Sequence, residues 1–189
     1  MSPAGLILAA GESSRMGRDK ALLPYAGTTF VDHLLRLFLS QVSPVVVVVG
    51  HHADTIRAAL PFIPGLQVAT NPKYRDGQLS SLQTGLRTIR ADNVLLTLVD
   101  HPAVAPTTIE ALLDHQDAPL VIPRYQDRRG HPILLSRPLI DEILALPPEA
   151  TAKQVIHAHL AEAVLLDLDD PGILRDVDTP ADYRSLLYP

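Results

Sequence analysis

The run Val45-Val46-Val47-Val48-Val49, closed by Gly50, decides the fold class of this chain. Five consecutive β-branched residues favour a strand, and a run without polar alternation is typical of a strand buried on both faces. A second apolar run, residues 6–10, ends at Gly11 in the same way. Strands of this kind belong to mainly parallel sheets that helices cover on both sides. The sequence therefore predicts an α/β protein.

Apolar runs alternate with amphipathic stretches along most of the chain, which predicts a β-α-β-α order. Strands are predicted at residues 6–10, 45–49, 66–69, 94–99, 120–122 and 163–168. Helices are predicted at residues 30–39, 53–60, 79–89, 107–115, 137–145, 152–160 and from 180 onward. Residues 123–135 are expected to form a hairpin or a long loop that reaches over the sheet. With 189 residues, the chain is expected to form a single domain, residues 1–189.

The composition argues against several classes of protein. The chain has 47% hydrophobic and 20% charged residues, and it lacks the run of about 20 apolar residues that a membrane span needs. Its N-terminus has no basic segment before the short apolar run, so we expect a cytoplasmic protein that does not bind membranes. The net charge of −5 argues against general nucleic-acid binding, because a basic surface supplies most of that affinity.

The absence of cysteine limits the chemistry that the chain can perform. With no cysteine, disulfides, thiolate catalysis and thiolate zinc sites are excluded. A metal must then be held by oxygen or imidazole ligands, and this favours Mg²⁺ or Mn²⁺.

Residues 9–20, directly after the first strand, have the composition of a phosphate-binding loop. Gly11 and Gly17 allow close backbone approach, and Arg15 and Lys20 can neutralise charge that develops on a phosphoryl group. The spacing fits neither a Walker A loop nor the dinucleotide fingerprint G-x-G-x-x-G. A solvated turn with ordinary surface charges is the alternative interpretation.

Three further segments follow predicted strands and are expected at the same edge of the sheet, where ligands of open α/β sheets bind. They begin at Gly50, Asn71 and Asp100. The adjacent histidines at 51 and 52, and the pair at 157 and 159, are not expected to chelate a metal, because residues at these spacings do not face each other.

Residues 8–17, Leu-Ala-Ala-Gly-Glu-Ser-Ser-Arg-Met-Gly, together with Lys20, resemble the signature of nucleotidyltransferases related to molybdenum-cofactor guanylyl- and cytidylyltransferases. The resemblance continues through residues 71–85, 100–102, 130–132 and 176–180, and so covers nearly the whole chain. It implies a Rossmann-like, three-layer α/β/α nucleotidyltransferase fold with a mainly parallel central sheet. Val99 and His101 stand where the family often has glycine and glutamine.

The resemblance also implies a set of site residues. The implied catalytic residues are Arg15, Lys20 and Asp100. The implied nucleotide-binding residues are Ala9, Ala10, Gly11, Glu12, Ser13, Ser14, Arg15, Lys20, Asn71, Gly77 and Ser81. Asp100 and Asp178 would hold Mg²⁺ (or Mn²⁺), and His101, Gly130 and His131 would contact the acceptor.

Local structure offers alternatives at several of these positions. Asp178 could cap the helix that begins at Pro180, and Asp176 could share the metal because residues two apart in an extended segment share a face. Ser80 could cap a helix while Gln83 faces water.

The function that the resemblance implies is transfer of an NMP from a nucleoside triphosphate to a small phosphorylated acceptor. Ala10 favours CTP, with molybdopterin cofactor as the acceptor and a molybdoenzyme-maturation protein as a partner. The alternatives are a sugar 1-phosphate acceptor, an NAD(P)-linked oxidoreductase built on the same scaffold, and a nucleotide-binding module without turnover.

Overall fold

The structure, a computed structural model, describes residues 2–188 and has an eight-stranded sheet at its centre. In chain order the elements are β1 (Ala4–Ala9), β2 (Pro24–Tyr25), β3 (Thr28–Thr29), α1 (Phe30–Leu39), β4 (Val45–Val49), α2 (Ala53–Ala59), β5 (Leu66–Thr70), α3 (Gln78–Thr88), β6 (Asn93–Leu98), α4 (Pro106–Leu113), β7 (Leu120–Tyr125), β8 (Arg128–Arg129), β9 (Ile133–Ser136), α5 (Arg137–Ala145), α6 (Ala152–Ala158), β10 (Val164–Asp167) and α7 (Pro180–Leu187). Short 3₁₀ helices span Lys20–Leu22, Tyr74–Asp76 and Pro171–Leu174. Within residues 2–188, no helix is both long enough and apolar enough to cross a membrane.

The sheet has the strand order β10-β7-β9-β6-β1-β4-β5, with β8 paired to β7. β1 pairs in parallel with β4 and β6, β4 with β5, and β7 with β10. β9 lies antiparallel between β6 and β7. β2 and β3 form a separate two-stranded ribbon. The predicted mainly parallel sheet is therefore confirmed.

The five valines of β4 are fully buried, as a strand covered on both faces must be. Alternate residues enter different cores: Val47 packs in the cluster of α1 and α4, and Val46 packs in the cluster of α3 and α5. Helices therefore cover both faces of the sheet, as the predicted three-layer architecture requires.

α3 lies unusually close to the sheet. A Cβ added at Gly85 would come within 2.4 Å of a Leu6 methyl group, so only glycine allows this approach. This contact helps to hold the first turn of α3 beside the carboxyl ends of β1 and β6, where the site lies.

Most element predictions are confirmed, and the bounds of α1, β4 and α5 agree with the predicted ones. The hairpin predicted within residues 123–135 is confirmed, but the expectation that this segment reaches over the sheet is wrong. β7 continues to Tyr125, a tight turn with positive φ at Gln126 and Asp127 reverses the chain, and β9 enters the sheet. Residues 133–135 are apolar and buried, so they fill the interior position between β6 and β7.

Candidate active site

The loop between β1 and the first 3₁₀ helix folds around Ser13. The Ser13 carbonyl accepts hydrogen bonds from the amides of Met16 and Gly17, and its hydroxyl accepts one from the Lys20 amide at 3.1 Å. The Met16 side chain is buried and anchors the loop to the core. The loop thus has a defined turn at its centre and is not an open surface connection.

The Lys20 ammonium lies between two carboxylates that are distant in sequence. Its Nζ donates to Asp100 Oδ2 at 2.9 Å and to Asp178 Oδ1 at 2.5 Å. Arg15 contacts the second oxygen of Asp178 at 2.8 Å. Lys20 and both aspartates are largely buried, whereas the Arg15 side chain is 70% exposed. Two cations and two carboxylates therefore meet at the end of β1.

These contacts set the ionisation of the buried groups. Burial alone would lower the pKa of Lys20, but the two carboxylates raise it above its usual value, so the ammonium stays charged. Burial would raise the pKa of Asp100, but the hydrogen bond from His101 and the charge of Lys20 lower it to about 2. Both groups are therefore ionised throughout the neutral range.

A cavity of about 280 Å³, here called the first cavity, opens at this cluster. Of the predicted site residues it is lined by Ala9, Ala10, Gly11, Ser13, Ser14, Arg15, Lys20, Ser81, Asp100 and Asp178. The prediction did not include Asp19, Gln78 and Val99, which also line it. Asp19 adjoins Lys20 in the loop and Val99 adjoins Asp100, so proximity in sequence was the available signal for both.

Three residues expected to bind the nucleotide do not line the first cavity. Glu12 accepts a hydrogen bond from Arg75 at 2.9 Å instead. Asn71 is buried, and its amide group donates to the hydroxyls of Ser80 and Ser81 at 2.9 Å each. Asn71 therefore supports the Ser81 side chain from behind the cavity wall.

Gly77 is the third of these residues, and it faces a different space. Its φ of 102° is a conformation that glycine adopts without strain, and it precedes α3 directly. It lines the second cavity described below.

The alternatives that Ser80 or Asp178 caps a helix and that Gln83 faces water are wrong. Ser80 lies inside α3 and donates to backbone carbonyls, and Gln83 is buried with its amide donating to the carbonyls of Ile143 and Leu146. Thr179 caps α7 in a reciprocal capping box with Asp182, which leaves the Asp178 carboxylate free to contact Lys20. Asp176 is exposed and does not line the first cavity.

A second cavity, of about 800 Å³, adjoins the first. Leu8, Gln78 and Leu98 line both spaces. The walls of the second cavity are mostly aliphatic, contributed by α3, α5, α6, β6 and β9. Its basic lining residues are Arg129, His131, Lys153 and His157, and its acidic ones are Asp76 and Glu149.

The predicted acceptor residues are divided between two places. Gly130 and His131 line the second cavity, whereas His101 is buried and lines neither cavity. The His101 Nδ1 hydrogen-bonds to Asp100 Oδ1 at 3.0 Å, so this ring holds the carboxylate. The expectation that His101 contacts the acceptor is therefore not supported, because its ring is occupied behind Asp100.

His131 has an unusual environment. Burial, and then the neighbouring His101 ring at 5.0 Å, lower the pKa of His131 to about 4. Its Nδ1 is buried and has no hydrogen-bond partner among the described residues. The His131 side chain nevertheless lies in the wall of the second cavity.

Residues 171–178, here called the connector, join the two cavities. At one end the Ile173 carbonyl accepts a hydrogen bond from the His131 amide at 3.0 Å, and at the other the Val177 amide donates to the Asp100 carbonyl at 3.0 Å. A Cβ at Gly130 would lie 2.3 Å from the Ile173 carbonyl oxygen, so the two backbones touch. Asp178 at the end of the connector is positioned by these contacts.

The prediction that the histidines at 51 and 52 do not face each other is wrong. Their ring centroids are 3.8 Å apart, and His52 Nδ1 lies 2.8 Å from Asp19 Oδ2. The reason is the left-handed backbone of His52, with φ 48°, which helical and strand spacing rules do not anticipate.

Comparison with known families identifies the class of this protein. The sequence model of the MobA-like NTP transferase domain matches residues 5–164. The chain belongs to this family. As a MobA-like protein it is a nucleotidyltransferase, and its fold is that of Rossmann-like nucleotidyltransferases.

Several MobA-like relatives match along almost their whole length. The molybdenum cofactor cytidylyltransferase of Escherichia coli (strain K12) is 25% identical over 94% of this chain and 92% of its own. The nicotine blue oxidoreductase of Paenarthrobacter nicotinovorans is 30% identical over 97% of this chain and 95% of its own. The crystal structure of Rv0371c from Mycobacterium tuberculosis H37Rv has a TM-score of 0.88 and 30% identity, covering 100% of this chain and 99% of that one. A manganese complex of Rv0371c has a TM-score of 0.79 and 29% identity, covering 99% and 98%.

Proposed function

We propose that this nucleotidyltransferase moves CMP from CTP onto a small phosphorylated acceptor of the molybdopterin-cofactor type and releases pyrophosphate. The observation that carries the proposal is the position of Lys20 between Asp100 and Asp178, at the mouth of a glycine-containing loop. This arrangement combines an anion-binding loop with a pair of carboxylates that one cation already bridges. CTP is favoured over GTP by Ala10, and the E. coli cytidylyltransferase is a relative along most of the chain.

The loop residues of the first cavity would hold the triphosphate. The glycine and serine backbone from Gly11 to Ser14 borders this cavity and can direct N–H groups toward anionic oxygens. Arg15 is mostly exposed, so it can turn toward phosphates by exchanging its ion pair with Asp178 for one with the nucleotide. Lys20 would neutralise the charge that develops as pyrophosphate departs.

Asp100 and Asp178 fit a divalent metal such as Mg²⁺ or Mn²⁺. Both carboxylates contact one ammonium group, so they lie close enough to bind one cation together. Hard oxygen ligands are those that Mg²⁺ prefers, and it commonly takes one or two carboxylates with substrate phosphates. Bound there, the metal would supply charge stabilisation at the α-phosphate. The manganese complex of the relative Rv0371c is in keeping with this assignment.

The reaction needs no covalent intermediate on the protein. An oxygen of the acceptor phosphate attacks the α-phosphorus, the bond from this phosphorus to the bridging oxygen breaks, and pyrophosphate carries away the electron pair. A phosphate acceptor is already ionised near neutral pH, so no strong base is required. The protein therefore acts by orientation and by charge neutralisation through Arg15 and Lys20.

The second cavity would hold the acceptor. Its volume suits a small organic ligand, and its aliphatic walls suit a flat heteroaromatic ring. Arg129 and Lys153 offer positive charge for a phosphate, and Gly130 and His131 form the wall beside them. Because the two cavities share Leu8, Gln78 and Leu98, an acceptor here would lie next to the nucleotide.

We further infer one nucleotidyltransferase domain over residues 1–189, in the cytoplasm. One sheet includes both β1 and β10, and Leu186 near the C-terminus packs in the same core as Ile7. These contacts support a single folding unit. A molybdoenzyme-maturation protein would be the protein partner.

Thermal shift of the purified chain tests the nucleotide part of the proposal. CTP, GTP, ATP and UTP, each with and without Mg²⁺, are compared, because a ligand that binds only the native state raises the melting temperature. We expect a Mg²⁺-dependent rise that is largest with CTP. Pyrophosphate release with CTP and molybdopterin cofactor then tests turnover, with a sugar 1-phosphate as the alternative acceptor. A larger shift with another triphosphate would replace CTP, and binding without pyrophosphate release from any acceptor would indicate a module that has lost turnover.

An oxidoreductase is the second candidate function, because the relative named nicotine blue oxidoreductase is 30% identical over 97% of this chain. The same thermal-shift series with NADH and NADPH separates the two candidates. A shift with a nicotinamide cofactor and none with any triphosphate would favour the oxidoreductase and reject nucleotidyl transfer.

A further inference from the structure

Asp19, His51 and His52 form a cluster beside the first cavity that the proposed nucleotidyl transfer does not use. One ligand atom from each residue lies within 4.8 Å of the others, and within residues 2–188 no other group of three or more Asp, Glu or His side chains converges in this way. The His52 Nδ1 and Asp19 Oδ2 are already 2.8 Å apart. These distances bring two imidazoles and one carboxylate to a common point.

The backbone holds the two rings on the same side. His52 has φ 48° and ψ 37°, a left-handed conformation that is uncommon outside glycine, although histidine tolerates it better than most residues. The His51 amide donates to the Ala10 carbonyl at 3.1 Å, which fixes this turn to the end of β1. The two adjacent rings, tilted by 36°, are therefore held by the turn and its anchor as well as by contact with each other.

An open space gives access to the cluster. A third cavity, of about 550 Å³, is lined by Asp19 and both histidines together with loop residues such as Glu12 and Ser14. The Asp19 side chain is 14% exposed, and that of His52 is 57% exposed. A hydrated ion could therefore reach the cluster from solvent and keep water at its remaining positions.

We propose that Asp19, His51 and His52 bind a divalent transition-metal ion of the zinc class. Two imidazole nitrogens and one carboxylate oxygen form a donor set typical of Zn²⁺ and neighbouring ions, whereas Mg²⁺ prefers oxygen ligands alone. In a tetrahedral site, ligand atoms about 2.1 Å from the ion lie about 3.4 Å apart. The three ligand atoms lie within 4.8 Å of one another, so side-chain rotations would draw them together as the ion binds.

The ion would join the phosphate-binding loop to the end of β4. Asp19 directly precedes Lys20 and lines the first cavity as well as the third. Binding there would fix the backbone next to Lys20 and stabilise the loop before nucleotide arrives. This site is separate from the pair formed by Asp100 and Asp178, which offers carboxylate oxygen and no histidine nitrogen facing the first cavity.

The test measures zinc binding to the chelator-treated full chain in the presence of excess Mg²⁺, by competition with a chromophoric zinc chelator. We expect one equivalent of Zn²⁺ for the wild type, and an affinity lowered at least about tenfold in Asp19→Asn and in His52→Asn. Asparagine also tolerates the left-handed conformation at position 52. His115→Asn, at an exposed histidine, is the matched control and should bind as the wild type does.

Two results would overturn the proposal. Unchanged zinc affinity in both variants would mean that the two adjacent histidines are not ligands. Loss of zinc binding in Asp100→Asn, with binding retained in Asp19→Asn and His52→Asn, would place the ion at the pair formed by Asp100 and Asp178. Imidazole nitrogen NMR of the wild type gives an answer independent of any variant: zinc must shift the resonances of His51 and His52, and unshifted resonances refute the site.

Discussion

The first and second cavities meet at Leu8, Gln78 and Leu98, yet they are built differently. The first is small, and the charges of Lys20 and Arg15 at its centre balance those of Asp100 and Asp178. The second is nearly three times as large and mostly aliphatic, with Arg129 and Lys153 among its lining residues. A site with paired charges binds a group that is the same in every reaction, such as a triphosphate with its metal. An apolar cavity with a few polar groups instead selects its ligand by shape. If the nucleotide and the acceptor occupy these two cavities as proposed, we expect nucleotide transfer and acceptor choice to be separable.

The largest effect is expected at the centre of the first cavity. In Lys20→Met the cation that both carboxylates contact is lost, and we expect pyrophosphate release to fall roughly a thousandfold. Lys73→Met is the matched control, because Lys73 is exposed and lines neither cavity. Equal activity of the two variants would show that Lys20 has no catalytic role.

The second largest effect, on the magnesium requirement, is expected at the aspartates near the end of the connector. Asp178→Asn should raise the Mg²⁺ concentration needed for half-maximal pyrophosphate release by roughly a hundredfold, because it removes a charged oxygen ligand. Asp176→Asn should leave this requirement unchanged, since Asp176 is exposed outside the first cavity. A magnesium titration of both variants decides between the two residues, and a shift in Asp176→Asn alone would reverse the assignment.

A bulky side chain in the second cavity should weaken acceptor binding and leave nucleotide binding nearly unchanged. Ala152→Trp places an indole at the lining of this cavity, and we expect the acceptor KM to rise about tenfold with little change in CTP affinity. Ala158→Trp, on the same helix but outside the lining, serves as the control. Each variant also carries the chain's single tryptophan, so fluorescence reports ligand approach directly. A matching loss of CTP affinity in Ala152→Trp would mean that the nucleotide occupies this space.

Acid stability gives the smallest effect. His131 has a folded pKa of about 4, below its unfolded value of 6.5, so the unfolded chain binds more protons between these pH values. Stability should therefore fall as the pH drops from 6.5 to 4, by roughly 3 kcal/mol at most. Asp100 contributes outside this window, because its pKa of about 2 means that its stabilising charge is lost only at lower pH.

Urea unfolding of the wild type and His131→Gln at several pH values measures this contribution. The variant should lose less stability between pH 6.5 and 4, whereas His115→Gln, at an exposed position, should behave as the wild type. Parallel pH profiles of all three proteins would contradict the low pKa of His131.

The sequence predicted the fold better than it predicted the site. A continuous apolar run such as residues 45–49 forms a strand that is buried on both faces of the sheet. The type and the bounds of such an element can therefore be predicted from the local pattern of residues. The antiparallel insertion of β9 did not follow, because its place between β6 and β7 depends on long-range pairing. The role of Asn71 also depends on long-range contacts. Its residue type suggested that it binds a ligand, but in the structure its side-chain amide donates hydrogen bonds to Ser80 and Ser81.

Cavity-lining residues on elements distant in sequence from the motifs were the hardest to predict. Lys153 lies on α6, 133 residues after Lys20, and nothing near it in sequence indicates a binding wall. The contact between His51 and His52 depended on one left-handed residue, which periodicity rules do not describe. Residues able to bind phosphate or metal could thus be recognised from the sequence, but the side chains that each of them contacts could not.

The touching backbones at Gly130 and Ile173 restrict how this enzyme can diversify. No side chain fits at that crossing, so a mutation there must displace either the hairpin beside the acceptor or the segment that ends at Asp178. We therefore expect insertions that remodel the wall of the second cavity to be tolerated on the far side of the β7–β8 turn, but not at its base. A lineage that acquires a new acceptor would keep this glycine and vary α6 instead, and directed-evolution libraries should be focused on the same helix.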